Sequence, residues 1–538
     1  MNPQTKHIQK YALSIIFFFC LLAVLIQGTP ILSVLPRNFI WFGCILLFLP
    51  IPFSLFILYK KGKLEEKEIV YAIIFIGMMF RCCYVLLSGL YDRQHDEGVY
   101  TGIATSQINP GHIGYIEYIY KFRKLPDFNP YQLFSYYHPP LHYVISGLWL
   151  IFLTSLGMPE DLAFENLQTL PLFYSGLFML FTYRILKKTG AHGKGLYAGL
   201  FLVALHPALT IMSGSINNDM LSSLFLACCI DAVLRWNREK NLKNLILIAL
   251  FIGFGMLCKI NTVIIAFPTG LLFLLDFVGI IRSKNRHLII CSVKNYILFG
   301  ITAGSIGLSW ILRNLILFHV KPGISSSTAA SVMYTGHYGI WARIGAPAFS
   351  DWHFAFPFHP LSGDAIHNIW VIMFQTSLFA EVYPQNISKF PLMLCQIVYP
   401  LAIWAALCSA LLFFAVQFKK LKLKNQISSN THSNLNQPSI EKGNRYEAPF
   451  RRLFCFFIEF RCFFLKISLY MQQRFPIHCY LPYIHRHRPG RQRQAVYWHD
   501  TIRLPFPHHK NWYIYYPFSF FHHLHALESM VAGYLLVP

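Results

Sequence analysis

An adjacent acid pair, Asp96 and Glu97, follows His95 in the string RQHDEGVY, just after a long apolar run. Two carboxylates side by side can divide a proton transfer, one serving as general base toward a hydroxyl or amine while the other holds its geometry or a cation. The plainer reading is a solvated loop start.

Five other groups of residues carry comparable chemistry. GHIGYIEYIY places His112, Tyr115, Glu117 and Tyr118 close together, with two glycines that allow close backbone approach; taken alone, this reads as loop packing. In YYHPPLHY the two prolines fix backbone angles and orient His138 and His142. A kink explains them, and so does a His138 cation meeting a lipid phosphate. SINND, from Ser215 to Asp219, and the turn Lys259 to Asn261 in LCKIN put Asn218, Asp219 and Lys259 close to a membrane boundary. Asn and Asp favour turns anyway, but ionisable groups at that depth are functional candidates, with Asp219 expected across a cavity from Asp96. In WILRN, Arg313 and Asn314 follow an apolar run, where an Arg snorkels to headgroups or clamps a phosphate. Glu381 in QTSLFAEVY is the weakest of the set.

The elements that must position these residues are transmembrane helices. Of 538 residues, 55% are apolar and only 13% charged, against about a quarter charged in soluble domains. The formal charge is +23, but the Lys and Arg sit in short clusters between apolar runs, which orients membrane insertion and argues against nucleic acid. No C-x-x-C spacing occurs, so buried thiols are expected in place of disulfides, and no metal site is assigned. Apolar runs of span length cover about 11–26, 38–59, 69–90, 168–186, 195–214, 217–234, 243–260, 262–281, 295–312 and 391–416. These make an all-α, polytopic helical bundle of about ten spans.

The run 141–156 is apolar but short, and it follows HPPL. If it crossed the bilayer, the basic loops 187–194, 235–243, 282–287 and 419–424 would lie opposite the basic loop 60–68. The positive-inside rule therefore makes it an interfacial helix, and all these loops cytoplasmic. The polar candidates then gather on the other face, in the outer loops 91–167 and 313–390 and the two tight turns. Along the chain, 1–60 forms two N-terminal spans, 61–418 the core and 419–449 a polar linker of disordered composition. Residues 450–538 form a His/Arg-rich tail with no span or periodicity, which reads as translation out of frame; a basic tail on anionic headgroups is the alternative.

The acid pair, GHIGYIEY, YYHPPLHY, SINND, LCKIN, WILRN and SLFAE, in that order over about 69–400, resemble the GT-C superfamily of membrane glycosyltransferases. The likeness is to bacterial members of glycosyltransferase family 39, relatives of the dolichyl-phosphate-mannose protein mannosyltransferases. It implies inverting transfer of a sugar from a polyprenyl-phosphate donor to a lipid, protein or glycan acceptor, at the extracytoplasmic face of the cell membrane. It implies a large first outer loop with juxtamembrane helices. Carried over, Asp96 is the base and Glu97 its understudy, while His138 and Arg313 meet the donor phosphate. Asp219 shapes the site or binds a divalent cation, Mg or Mn. His95, His112, Tyr115, Asn218, Lys259, Asn314 and Glu381 complete the expected substrate-binding set. Two departures stand out: two spans precede the one that leads into the acid pair, and the anomalous tail replaces the family's further helices, which leaves an inactive chain as one expectation. The rival from another class is a transporter or flippase for a lipid-linked or anionic substrate.

Overall fold

The computed structural model describes residues 3–31, 37–48, 50–92, 96, 100, 102, 108–320, 339–347 and 368–376, with scattered single positions up to 415. All lie in the compact unit Met1–His478. Every regular element among them is helical. The predicted all-α membrane architecture is therefore observed, with six helices long and apolar enough to cross a bilayer among the described residues.

The helices are α1 (Pro3–Gln27), α2 (Arg37–Phe48), α3 (Pro50–Lys60), α4 (Glu66–Leu87), α5 (His112–Phe122), α6 (Leu141–Ser155), α7 (Glu160–Glu165) and α8 (Thr169–Lys188). They continue as α9 (Gly193–Ala204), α10 (Pro207–Met212), α11 (Asp219–Arg238), α12 (Leu242–Cys258), α13 (Ala266–Arg282), α14 (Arg286–Gly307), α15 (Ser309–Phe318), α16 (Ile340–Ile344) and α17 (Ile369–Thr376). The six span-length segments are His7–Gln27, Phe42–Lys60, Glu66–Leu87, Glu160–Lys188, Ile260–Arg282 and Arg286–Gly307.

Helix α1 belongs to the core instead of standing apart from it. Its Ile8, Ala12, Ile16, Phe19 and Ala23 recur on one helical face and are buried with Ile74 and Met78 of α4 and Leu172 of α8. A Cβ on Gly176 would come within 2.8 Å of Ile16, so the α1–α8 approach needs the missing side chain.

Two expected spans break. The run 195–214 divides into α9 and α10 because Pro207 cannot continue a helix and forces His206 into an extended conformation. Arg81, buried in α4, donates to Val203 O at 2.9 Å and to Ala204 O, carbonyls left open at the end of α9. The run 295–312 also ends early, at Gly307, so Arg313 and Asn314 lie inside a separate helix, α15. The expected span 391–416 and the tail 450–538 fall largely or wholly outside the described residues.

The first loop contains α5, α6 and α7 as the expected juxtamembrane helices. Helix α6 has only 15 residues, too few to cross a bilayer without distortion. It packs on α5 where Gly147 faces Ile119; a Cβ there would lie 2.7 Å from Ile119 Cγ2. Gly114 is tighter still, since its Cβ would come 2.2 Å from Asn109 O. The close approach expected of GHIGYIEY is therefore real and seats α5 on the preceding loop.

Candidate active site

Asp96 sits where the first loop meets the start of α11. The half-buried carboxylate accepts from Asn217 Nδ2 at 2.9 Å, and Asn217 Oδ1 accepts the Asp219 N–H at 3.1 Å. Asn217 thus closes a side-chain turn over the first turn of α11 and holds the loop acid with its other end. Asp96 takes φ of +63°, a left-handed conformation that Asp tolerates better than most residues. Tyr100, fully buried, accepts the Ile216 N–H at 2.5 Å. Loop and helix are therefore joined at two adjacent positions.

Below this lies a buried ion pair. Lys259, at the C-terminal cap of α12, engages Asp219 Oδ1, and their side chains are 3% and 2% exposed. Asn218 Nδ2 donates to Cys258 O at 2.8 Å, which locks the α11 start to the α12 end. Asn218 is thus a structural clasp in this arrangement, and its neighbour Asn217 is the one that reaches Asp96. Asp219 faces an ammonium, and no group of three or more His, Cys, Asp or Glu that could hold a metal occurs among the described residues.

The third part is a floor of stacked rings. His112 Nδ1 and Tyr143 Oη lie 2.8 Å apart, and the His112 ring stacks on His138 at 5.5 Å. Tyr115 is sandwiched between Tyr136 at 4.6 Å and Tyr143 at 4.2 Å. Tyr115 Oη, His138 Nδ1, both ring nitrogens of His142 and Ser146 Oγ are buried without a hydrogen-bond partner among the described residues. Such groups are costly unless something polar reaches them, so they mark where polar groups of a ligand, or ordered water, would be received.

Burial, reinforced by His112 and Lys259, holds His138 well below the ordinary histidine range. Burial and His112 bring His142 down to about 3. His138 is therefore neutral at pH 7 in this arrangement. Glu117 is taken up by Lys121 at 2.6 Å and Asn109 at 2.9 Å.

Arg313 closes the site from α15. Its guanidinium lies over Trp310 and Phe318, at 4.8 and 5.3 Å, while Nη1 donates to Asn314 Oδ1 at 3.1 Å and Nη2 to Pro126 O of the first loop. Trp310 Nε1 donates to Tyr137 O at 3.3 Å, next to His138. His95, Glu97 and Glu381 lie outside the described residues.

The structure brings Asp96, His112, Tyr115, His138, Asp219 and Lys259 into one region, with Arg313 at its rim. Asn217 and Tyr100 were missed by the sequence reading. The Asn217 bond to the N–H two residues on was legible in SINND as a turn motif; its bond to Asp96 had no local signal.

No curated protein and no solved structure matches the chain. Residues 138–300, from His138 through the Asp219–Lys259 pair but short of Asp96 and Arg313, match the family described as dolichyl-phosphate-mannose-protein mannosyltransferase, and the resemblance of this all-helical membrane protein is thus to glycosyltransferases of the GT-C type.

Proposed function

We propose that the chain transfers a sugar from a polyprenyl-phosphate carrier to an acceptor hydroxyl or amine, with inversion, at the extracytoplasmic face. The observation that supports this reading most is the carboxylate of Asp96, held by Asn217 at 2.9 Å beside a ring-lined, partly unpartnered buried region. Asp96 takes the acceptor proton as the acceptor oxygen or nitrogen attacks the anomeric carbon. The bond from that carbon to the phosphate oxygen breaks, and the lipid phosphate leaves with the electron pair. Arg313 spreads the growing charge on the phosphate, since a guanidinium offers several donors in one plane. His138, neutral, adds a hydrogen bond. Glu97, beside Asp96 in sequence, is the reserve base. The leaving group is already activated, so positioning and electrostatics carry the reaction.

The test is transfer of radiolabelled sugar from polyprenyl-phosphate donors in membranes containing the chain or its Asp96→Asn variant. Transfer by the first and none by the second is expected. Equal transfer by both removes Asp96 as the base. Correct insertion with no transfer by either returns the transporter reading.

A further inference from the structure

The far end of the bundle holds a second cluster that the transfer reaction does not use. Asp231 of α11 is fully buried, yet three cations surround its one carboxylate. Arg184 grips it with Nε at 3.2 Å and Nη2 at 2.7 Å, Lys188 reaches Oδ1 at 2.5 Å, and Arg235 Nε stands 3.3 Å away. Arg238 is tied in by donating to Lys188 O, with Glu239 as its neighbour in sequence. Nearby Lys187 and Lys240 have acids of their own, Glu66 and Asp276.

One negative charge against three positive ones leaves two uncompensated charges on side chains only 15%, 13% and 33% exposed. Half-desolvated cations of like sign repel strongly, because the local dielectric is far below that of water. A second anion is the natural remedy. The cluster occupies the later turns of α8 and α11, about 18 Å along α11 from Asp219 at Asp231 and about 24 Å at Arg235, and therefore lies toward the opposite membrane surface from the candidate active site. Trp236, buried between α11 and α13, carries Lys240 over its ring at 3.7 Å, the amphipathic layering found at headgroup depth.

We propose that the basic cluster between the later turns of α8 and α11 binds the phosphodiester of an anionic phospholipid, which completes the coordination of Arg184, Lys188 and Arg235. Basic pockets between transmembrane helices hold such headgroups through charge and donor geometry together. The site is independent of the transfer reaction and would anchor α8 against α11 from the far surface.

The experiment compares the full-length protein in nanodiscs of phosphatidylcholine alone and with phosphatidylglycerol added, reading thermal unfolding and lipid retention by native mass spectrometry. Phosphatidylglycerol is expected to raise the melting temperature and to remain bound. Arg235→Gln with Arg238→Gln leaves Asp231 its two shorter partners and should weaken retention about tenfold or more, with unchanged melting in phosphatidylcholine. Arg235→Lys alone, which keeps the charge beside Asp231 but loses the planar fork, covers the case in which the double variant does not fold, and should weaken retention several-fold. Full retention in the variants overturns the proposal. So does equal loss on neutralising Lys10 and Lys194, which would mean diffuse surface charge, or the same melting shift from micromolar inorganic phosphate.

Discussion

The amide of Asn217 joins Asp96, 121 positions earlier in the chain, to the first turn of α11. It donates to the carboxylate at 2.9 Å and accepts the Asp219 N–H at 3.1 Å, so the acid is aimed by a helix end and not by its own loop. Removing this grip should misplace the proposed base without removing it. Asn217→Ala is expected to lower kcat about a hundredfold with KM for the donor little changed, while Asp96→Asn abolishes turnover. A kcat within twofold of wild type for Asn217→Ala in initial-rate assays would show that Asp96 is held by other contacts.

The Asp219–Lys259 pair predicts an asymmetry in stability. Either partner alone, once the other is removed, is a buried uncompensated charge, which costs about 3–5 kcal/mol. Lys259→Met should therefore destabilise strongly, and Asp219→Leu with Lys259→Met should recover most of the loss. Thermal unfolding in a mild detergent measures both. A double variant no better than the single one would place the pair's role in ligand binding.

Acid should loosen the first loop. His142, buried against His112 with Asp219 near, is held down to about 3, whereas in the unfolded chain it titrates near ~6.5. Between those values the unfolded state binds the extra proton, so the histidine's contribution is complete above about 6.5 and is lost as pH falls. The slope is at most about 1.4 kcal/mol per pH unit for this one group. His138, shifted in the same direction, adds to it. Melting temperature should fall from pH 7.5 to 5, and His142→Asn should flatten that fall; an unchanged slope would mean the imidazole is not desolvated.

Arg313→Lys keeps the charge but cannot span both Asn314 Oδ1 and Pro126 O as the planar guanidinium does. The expected result is about a tenfold rise in KM for the polyprenyl-phosphate donor, with a comparable loss for Arg313→Gln. Saturation kinetics on varied donor distinguishes this from a purely structural role, which would lower the folded fraction and leave KM alone.

Topology is open to a direct check. Lys124 and Lys194 are both exposed, on either side of α6 in sequence. With α6 interfacial, one span, α8, separates them. A membrane-impermeant maleimide on intact cells should then label Lys124→Cys and not Lys194→Cys. Labelling of both from one side would make α6 a crossing segment.

Helical membrane architecture could be read from the chain alone because the length of an apolar run is a local property and lipid leaves the backbone few other ways to satisfy itself. The break at Pro207 was equally local, although it was read through as one span. The polar candidates were recognisable because ionisable and amide side chains stand out against lipid-facing runs. Their pairing was not recognisable. Asn217 meets Asp96, Lys259 meets Asp219, and Arg313 reaches Pro126 from within a helix of its own. These contacts join residues 121, 40 and 187 positions apart. Distances of that kind are set by how α5, α6, α11, α12 and α15 pack, through the close approaches at Gly114 and Gly147 among others. No local pattern of residues encodes the register in which two helix ends meet, so only the folded chain decides which side chain lands on which.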